Sequence, residues 1–196
     1  AGANENAAVT GDLDLSGALI ITGMGLSFTV IDANWLDRVV EVLPEAVVQI
    51  TNLTLVNGRA PATTGTVRGR DGGGILNHAS LSMENVRVAG NQAGAASTSA
   101  DYSGDGGGIF NNEGSLVLTL VEIMGNETAN GPYGTYNGVD GGHGAGIYSR
   151  GGTVSLTDSQ VTGTSTGNGG DGGTGFNSYG GDGGSGGGIY LSTGAD

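Results

Sequence analysis

The sequence predicts an all-β fold: a right-handed, single-stranded parallel β-helix, a solenoid of about five to six rungs with long glycine-rich loops on one side. Three observations predict it. A glycine run ending in isoleucine recurs, as DGGGI at 71–75 and at 105–109, and in looser form ending at Ile147 and Ile189. Apolar and polar residues alternate over short runs, which is the period of a strand and not the 3.6-residue period of a helix. Asn, Asp, Gly and Ser punctuate those runs with turn chemistry, and 43 of the 196 residues are glycine.

The elements follow in chain order. Three segments, 12–23 (DLDLSGALIITG), 38–42 (RVVEV) and 47–58 (VVQITNLTLVNG), read as N-terminal rungs spanning 12–58 and lacking the glycine runs. The glycine-rich repeat occupies 71–196. Its units 72–91, 106–126 and 144–164 align, and a fourth opens at 186. Ile75, Ile109, Ile147 and Ile189, spaced 34, 38 and 42 residues apart, are the expected first inward residues of successive turns. Leu81 and Met83 correspond to Leu116 and Leu118, then to Val154 and Leu156. Val86 and Val88 correspond to Val121 and Ile123, then to Ser159 and Val161. Val48, Ile50, Leu53 and Leu55 fall in the same step. Three short strands per repeat describe one turn of a solenoid, with like strands stacked ~4.8 Å apart. The whole of 1–196 is expected to be one β-helix domain, part of a longer precursor or of an assembly.

Composition bounds the function. The net charge is −13, all six basic residues are arginine, and there is neither lysine nor cysteine. A nucleic-acid partner is disfavoured, because phosphates are repelled. Disulfides and thiolate metal sites are excluded. No run approaches the ~20 apolar residues of a membrane helix, so no transmembrane segment is expected. The opening AGANENAAV reads as a mature or trimmed start.

The pattern GGGI-[LFY]-N, followed by L-x-[ML] and V-x-V-x-G-N, resembles the repeats of bacterial surface and secreted right-handed β-helix proteins. That group includes the chlamydial polymorphic outer-membrane, autotransporter-like passengers and large Gly/Asn-rich secreted proteins of free-living bacteria. The F-x-x-N element of the chlamydial branch is absent here, since Phe110 and Phe176 are each followed at once by Asn. The resemblance covers roughly residues 10–190. It implies an extracellular or cell-surface bacterial location and a role in adhesion or envelope structure.

Candidate sites are few. Asn57, Asn91 and Asn126 recur near one register and are expected to form a structural amide ladder along the rod. Asp71, Asp105, Asp140, Asp171 and Asp182 all sit beside glycine. Stacked on one edge, they and backbone carbonyls could hold Ca2+ through oxygen ligands, although solvated Asx-turns are the favoured explanation. No other cofactor is implied. His78 and His143 stand in no metal-ligand spacing. Glu84, Glu122 and Arg87 are the one constellation a polysaccharide lyase or hydrolase would use. The sequons at Asn52 and Asn126 match a glycosylation pattern.

The loops 92–104, 127–139 and 165–181 carry Tyr102, Tyr133, Tyr136 and Tyr179. Aromatics in such a setting suit a contact surface. Gly73→Val or Gly107→Val is expected to disrupt a rung, whereas shortening 92–104 is expected to be tolerated. The last segment, GGGIYLSTGAD, reads as an unfinished rung, either a fragment's edge or one completed by a second copy in a head-to-tail filament. The expected function is therefore a non-catalytic structural or adhesive rod that presents its Gly/Tyr loops to another copy, a neighbouring surface protein or glycans. The alternatives are a carbohydrate-active β-helix enzyme and a glycan- or Ca2+-binding module.

Overall fold

A computed structural model describes residues 11–61, 70–97, 102–134, 136–174 and 178–193. Within them the chain forms strands and no helix. Every strand pairing is parallel, and the strands wind into a β-solenoid.

One face is a six-stranded sheet, stacked in the order β1 (Leu13–Leu15), β4 (Val40–Val42), β6 (Ile75–Asn77), β8 (Ile109–Asn112), β11 (Ile147–Arg150) and β14 (Ile189–Ser192). The other wall stacks β2 (Ala18–Thr22) and β3 (Val30–Asp32), β5 (Val47–Val56), β7 (Ser80–Ala89), β9 (Ser115–Thr119) and β10 (Glu122–Met124), then β12 (Thr153–Thr157) and β13 (Gln160–Thr162). The turns β4–β5, β6–β7 and β8–β10 have a neighbour above and below throughout. The expected five to six rungs thus reduce to about three enclosed turns with partly covered ones at each end.

Register follows the alternation. Val40, Ile75, Ile109, Ile147 and Ile189 form one column. Val48, Leu81, Leu116 and Val154 form a second, and Ile50, Met83, Leu118 and Leu156 a third. Leu55, Val88, Ile123 and Val161 form a fourth. Between the end turns these side chains are buried, each worth ~1.5–3 kcal/mol relative to exposure. A one-residue slip would turn every column outward, so the pattern fixes the register.

The expectation of three short strands in every turn needs correcting. In two turns the second and third strands merge into the ten-residue β5 and β7. These bend at Asn52 (φ 57°) and Asn85 (φ 50°). The same corner in later turns falls at Leu120 (φ 54°) and Asp158 (φ 48°), where the ladder breaks in two. Asparagine adopts the left-handed region at low cost. Asn85 also donates Nδ2–H to Asn52 Oδ1 at 2.8 Å, which bridges the two turns.

The loops are not free excursions. They leave at bridged neighbours, Gln92, Glu127 and Ser165, and then hydrogen-bond to one another through backbone. Gly94 N–H donates to Arg70 O, Gly104 to Gly94, Gly131 to Asn168, Gly138 to Tyr179 and Gly184 to Gly167, at 2.7–2.9 Å. Thr128 Oγ1 donates to Gly142 O (2.7 Å) and accepts from Gly167 N–H (2.8 Å). Ala93, Ser103 and Thr128 are buried. Shortening 92–104 would remove the packed backbone around Gly94 and Ser103–Gly104, which predicts a loss of stability instead of the tolerance expected from the sequence. The physical reason is glycine itself: without a Cβ, neighbouring segments approach closely enough for backbone to satisfy backbone.

Candidate functional site

The return of each loop to the rod is built from the motif that opens the repeat. Asp71 Oδ1 accepts Asp105 N–H (2.8 Å), Asp105 Oδ1 accepts His143 N–H (2.6 Å), and His143 Nδ1 accepts Ser185 N–H (2.8 Å). The next residues, Gly72, Gly106, Gly144 and Gly186, all take φ between 60° and 71°. A left-handed glycine thus marks each of the four returns, and a side-chain acceptor precedes it at the first three.

This separates the five aspartates proposed for Ca2+. Asp71 and Asp105 belong to that column. Asp140 and Asp182 belong to another, in which Asp140 Oδ1 accepts Asp182 N–H at 2.6 Å. Asp171 joins neither, and its backbone carbonyl accepts Gly134 N–H. Four of the five are thus aligned in two rows and not on one edge. Three of the four engage a backbone N–H of the next turn, as a structural role requires.

The asparagine ladder has two members in the expected column. Asn126 Oδ1 accepts both the backbone N–H and the Nδ2–H of Asn91 at 2.9 Å, and its own Nδ2–H goes to Val88 O at 2.9 Å. Asn57 is a correction. It lies one position out, exposes its amide to Asp32, and takes φ 54°; Gly58 fills the ladder position and donates to Asn91 Oδ1. A second interior ladder went unread in the sequence. Asn77 Nδ2 donates to Asn111 Oδ1 (2.7 Å), and Asn111 Nδ2 to Ser149 Oγ (3.0 Å). The third position of each GGGI-x-N unit was the available signal.

Tyr102, Tyr133, Tyr136 and Tyr179 expose 47%, 52%, 76% and 67% of their surface on successive packed loops. Inside the returns, Phe110, Tyr148 and Tyr190 stack on the outer side of the six-stranded sheet, with ring centroids 5.0 and 5.2 Å apart. Their column continues downward through Leu76 and Glu41 to Asp14.

The proposed catalytic trio does not assemble as a free set. Arg87 and Glu122 are register partners and form an ion pair (Nη2–Oε2 2.6 Å, Nε–Oε2 2.7 Å). Glu84 pairs in register with Thr51 and Thr119, outside that ion pair.

The densest electrostatics lie at the other end of the six-stranded sheet, in residues that, His78 apart, the sequence does not mark as candidates. Arg38 Nη1 contacts Asp12 Oδ2 (3.1 Å) and Glu41 Oε2 (2.9 Å), all three buried. His78 Nε2 faces Glu41 Oε1 at 3.6 Å. On the far side of that ring, Nδ1 is 2.9 Å from Asn112 Nδ2, and Arg150 donates Nε and Nη2 to Asn112 Oδ1 (3.2 and 2.8 Å). Arg150 has no acceptor function, so Asn112 must present its oxygen to Arg150 and its NH2 to His78. His78 thus turns Nδ1 toward the Asn112 amide and Nε2 toward Glu41.

Burial pushes the Asp12 carboxyl up to about 6 against the pull of Arg38. Burial also works upward on Glu41, but the His78 hydrogen bond and the charges of Arg38, His78 and Arg70 outweigh it and hold that carboxyl below its ordinary value. Carboxylate oxygens of Asp12, Asp14 and Glu41 lie within 4.8 Å of one another. Among the described residues this is the one acidic trio close enough to share a cation, and Arg38 already supplies positive charge there.

Among the described residues no helix is long and apolar enough to cross a membrane. No protein-family model, curated protein or solved structure matches the chain.

Proposed function

We propose that the chain is a non-catalytic structural or adhesive rod of the bacterial cell surface or exterior, working through the tyrosines on its glycine-packed loops. One observation carries the reading: four exposed tyrosines stand on loops held by backbone hydrogen bonds. A rigidly held aromatic loses little conformational freedom when it is covered, so its contact area converts more fully into affinity. Self-association and neighbouring surface proteins or glycans are the partners this surface suits. The absence of cysteine and lysine and the charge of −13 fit a solvated, exposed setting. The Arg87–Glu122 ion pair supports a structural reading over a catalytic one, because each group already satisfies the other.

The test compares the wild-type chain with a Tyr133→Ser/Tyr136→Ser/Tyr179→Ser variant. Sedimentation velocity over a concentration series reads self-association, and retention on immobilised envelope fractions reads adhesion. The wild type is expected to associate or be retained, and the variant to lose both while melting at the same temperature. A wild type that stays monomeric and unretained, or a variant that behaves identically, refutes the reading. Release of reducing ends or unsaturated products from polysaccharides would refute its non-catalytic part.

A further inference from the structure

The corner between the second and third strands carries one residue out of keeping with its column. Asn52, Asn85, Leu120 and Asp158 succeed one another there, all with φ between 48° and 57°. Asparagine and aspartate enter the left-handed region readily, and leucine does not. An asparagine at 120 could also continue the ladder begun by the bond from Asn85 to Asn52. Leu120 offers neither advantage, and with 52% of its surface exposed it gains little by burial. Strain kept at one position of a repeating corner, without packing to account for it, is the kind of departure that ligand contacts show.

Leu120 does not stand on open surface. It lines a groove of about 320 Å3 together with Leu26, Asn85, Glu122, Asp158 and Gln160. That volume is at the small end of ligand cavities, of the order of one sugar ring. Asn85 lies one turn below Leu120 and Asp158 one turn above, so their backbones are roughly 10 Å apart. The groove thus places an apolar residue between two polar ones. Glu122 is already paired with Arg87 at 2.6 Å. Asp158 takes part in none of the ion pairs of the described residues. Asn85 spends its Nδ2–H on Asn52, which leaves its Oδ1 facing outward from the ladder as an acceptor. Both ends of the groove therefore call for a ligand that donates.

We propose that this groove binds one amino-sugar ring. The apolar face of the ring covers Leu120, a hydroxyl donates to Asn85 Oδ1, and the ammonium donates to the Asp158 carboxylate. A neutral sugar forgoes that charge-assisted bond. A sugar acid meets Asp158 and Glu122 as like charges. The inference uses none of the loop tyrosines, and either can fail alone.

The test titrates glucosamine hydrochloride, glucose and sodium glucuronate at constant ionic strength and slightly acidic pH, where the amine is protonated. Binding is followed by the methyl resonances of Leu120 and Leu26 and by calorimetry. Glucosamine is expected to shift both residues saturably, glucose to bind roughly twofold to fivefold more weakly, and glucuronate not to bind. Asp158→Asn is expected to bring glucosamine down to the affinity of glucose. Leu120→Asn is expected to melt no lower than the wild type and yet to weaken glucosamine roughly fivefold or more, so unfolding cannot account for the loss. Glu113→Gln, which removes one acidic charge outside the groove, is expected to bind as the wild type does. No saturable shift with glucosamine, glucose or glucuronate binding as tightly as glucosamine, full affinity in Leu120→Asn or Asp158→Asn, or an equal loss in Glu113→Gln overturns the proposal.

Discussion

Leu120 holds φ 54° at a corner where other turns place Asn52, Asn85 and Asp158. A leucine in the left-handed region costs ~1–2 kcal/mol, a penalty that asparagine largely avoids. Leu120 is half exposed, so little packing is lost on replacing it. Leu120→Asn is expected to stabilise the fold by about 1 kcal/mol, read as a higher urea midpoint with an unchanged slope. Asn126 presents the opposite case. Its amide satisfies two donors of Asn91 and the carbonyl of Val88, all in the interior. Asn126→Ala strands those groups away from water, at ~1–3 kcal/mol for each one left unmet. A loss of about 3 kcal/mol or more is expected by the same measurement, and a loss below 1 kcal/mol would mean that water replaces the amide.

At the scale of the element, the glycine return and the corner glycine look alike in sequence and behave differently. A Cβ on Gly107 would be driven into Glu127 O and C and pressed against Ala145 O, all backbone that cannot step aside. Gly90 has φ 61°, with only Asn57 Oδ1 nearby at 3.7 Å, and Asn57 itself occupies the equivalent position one turn earlier. Gly107→Val is therefore expected to cost more than 4 kcal/mol or to prevent folding, whereas Gly90→Asn stays within about 0.5 kcal/mol. Thermal melts followed by circular dichroism distinguish the two. The loops obey the same rule on a larger scale: their glycines let backbone hydrogen-bond to backbone across turns, so a segment that reads as a spacer is part of the packing.

At the scale of the whole molecule, charge links turns far apart in sequence. Asp12, Arg38, Glu41, His78, Asn112 and Arg150 form one relay along the rod. The two carboxylates respond to pH in opposite directions. Asp12 is raised from 3.8 to about 6, so its contribution is present below pH 3.8 and is lost as pH rises through about 6. Glu41 is lowered from 4.5, so its contribution is present above pH 4.5 and is lost as pH falls below that value. Asp12→Asn removes the first effect alone. Relative to the wild type, the variant is expected to gain roughly 1–3 kcal/mol between pH 4 and pH 7, read as a melting-temperature difference that widens with pH. A difference that stays flat across that range would show that Arg38 fully offsets the burial of Asp12.

The strand columns were legible because burial forces a period of two, and the repeat shows that period several times over. The tyrosine loops were legible from composition. The second asparagine ladder was not, because a single Asn after an apolar pair reads as an ordinary turn until the next turn is stacked on it. The offset of Asn57 was invisible for the same reason, since one position decides between interior and corner. The corner groove was hidden most completely: Asn85, Leu120 and Asp158 lie far apart in sequence, and only the stacking of β7, β10 and β13 brings them together. The sequence by itself determined the solenoid, its register and the places where loops leave and return, because local alternation and turn chemistry act along the chain. The tertiary structure alone decided the loop packing, the ladder membership and the charge network, because these depend on what lies one turn above or below.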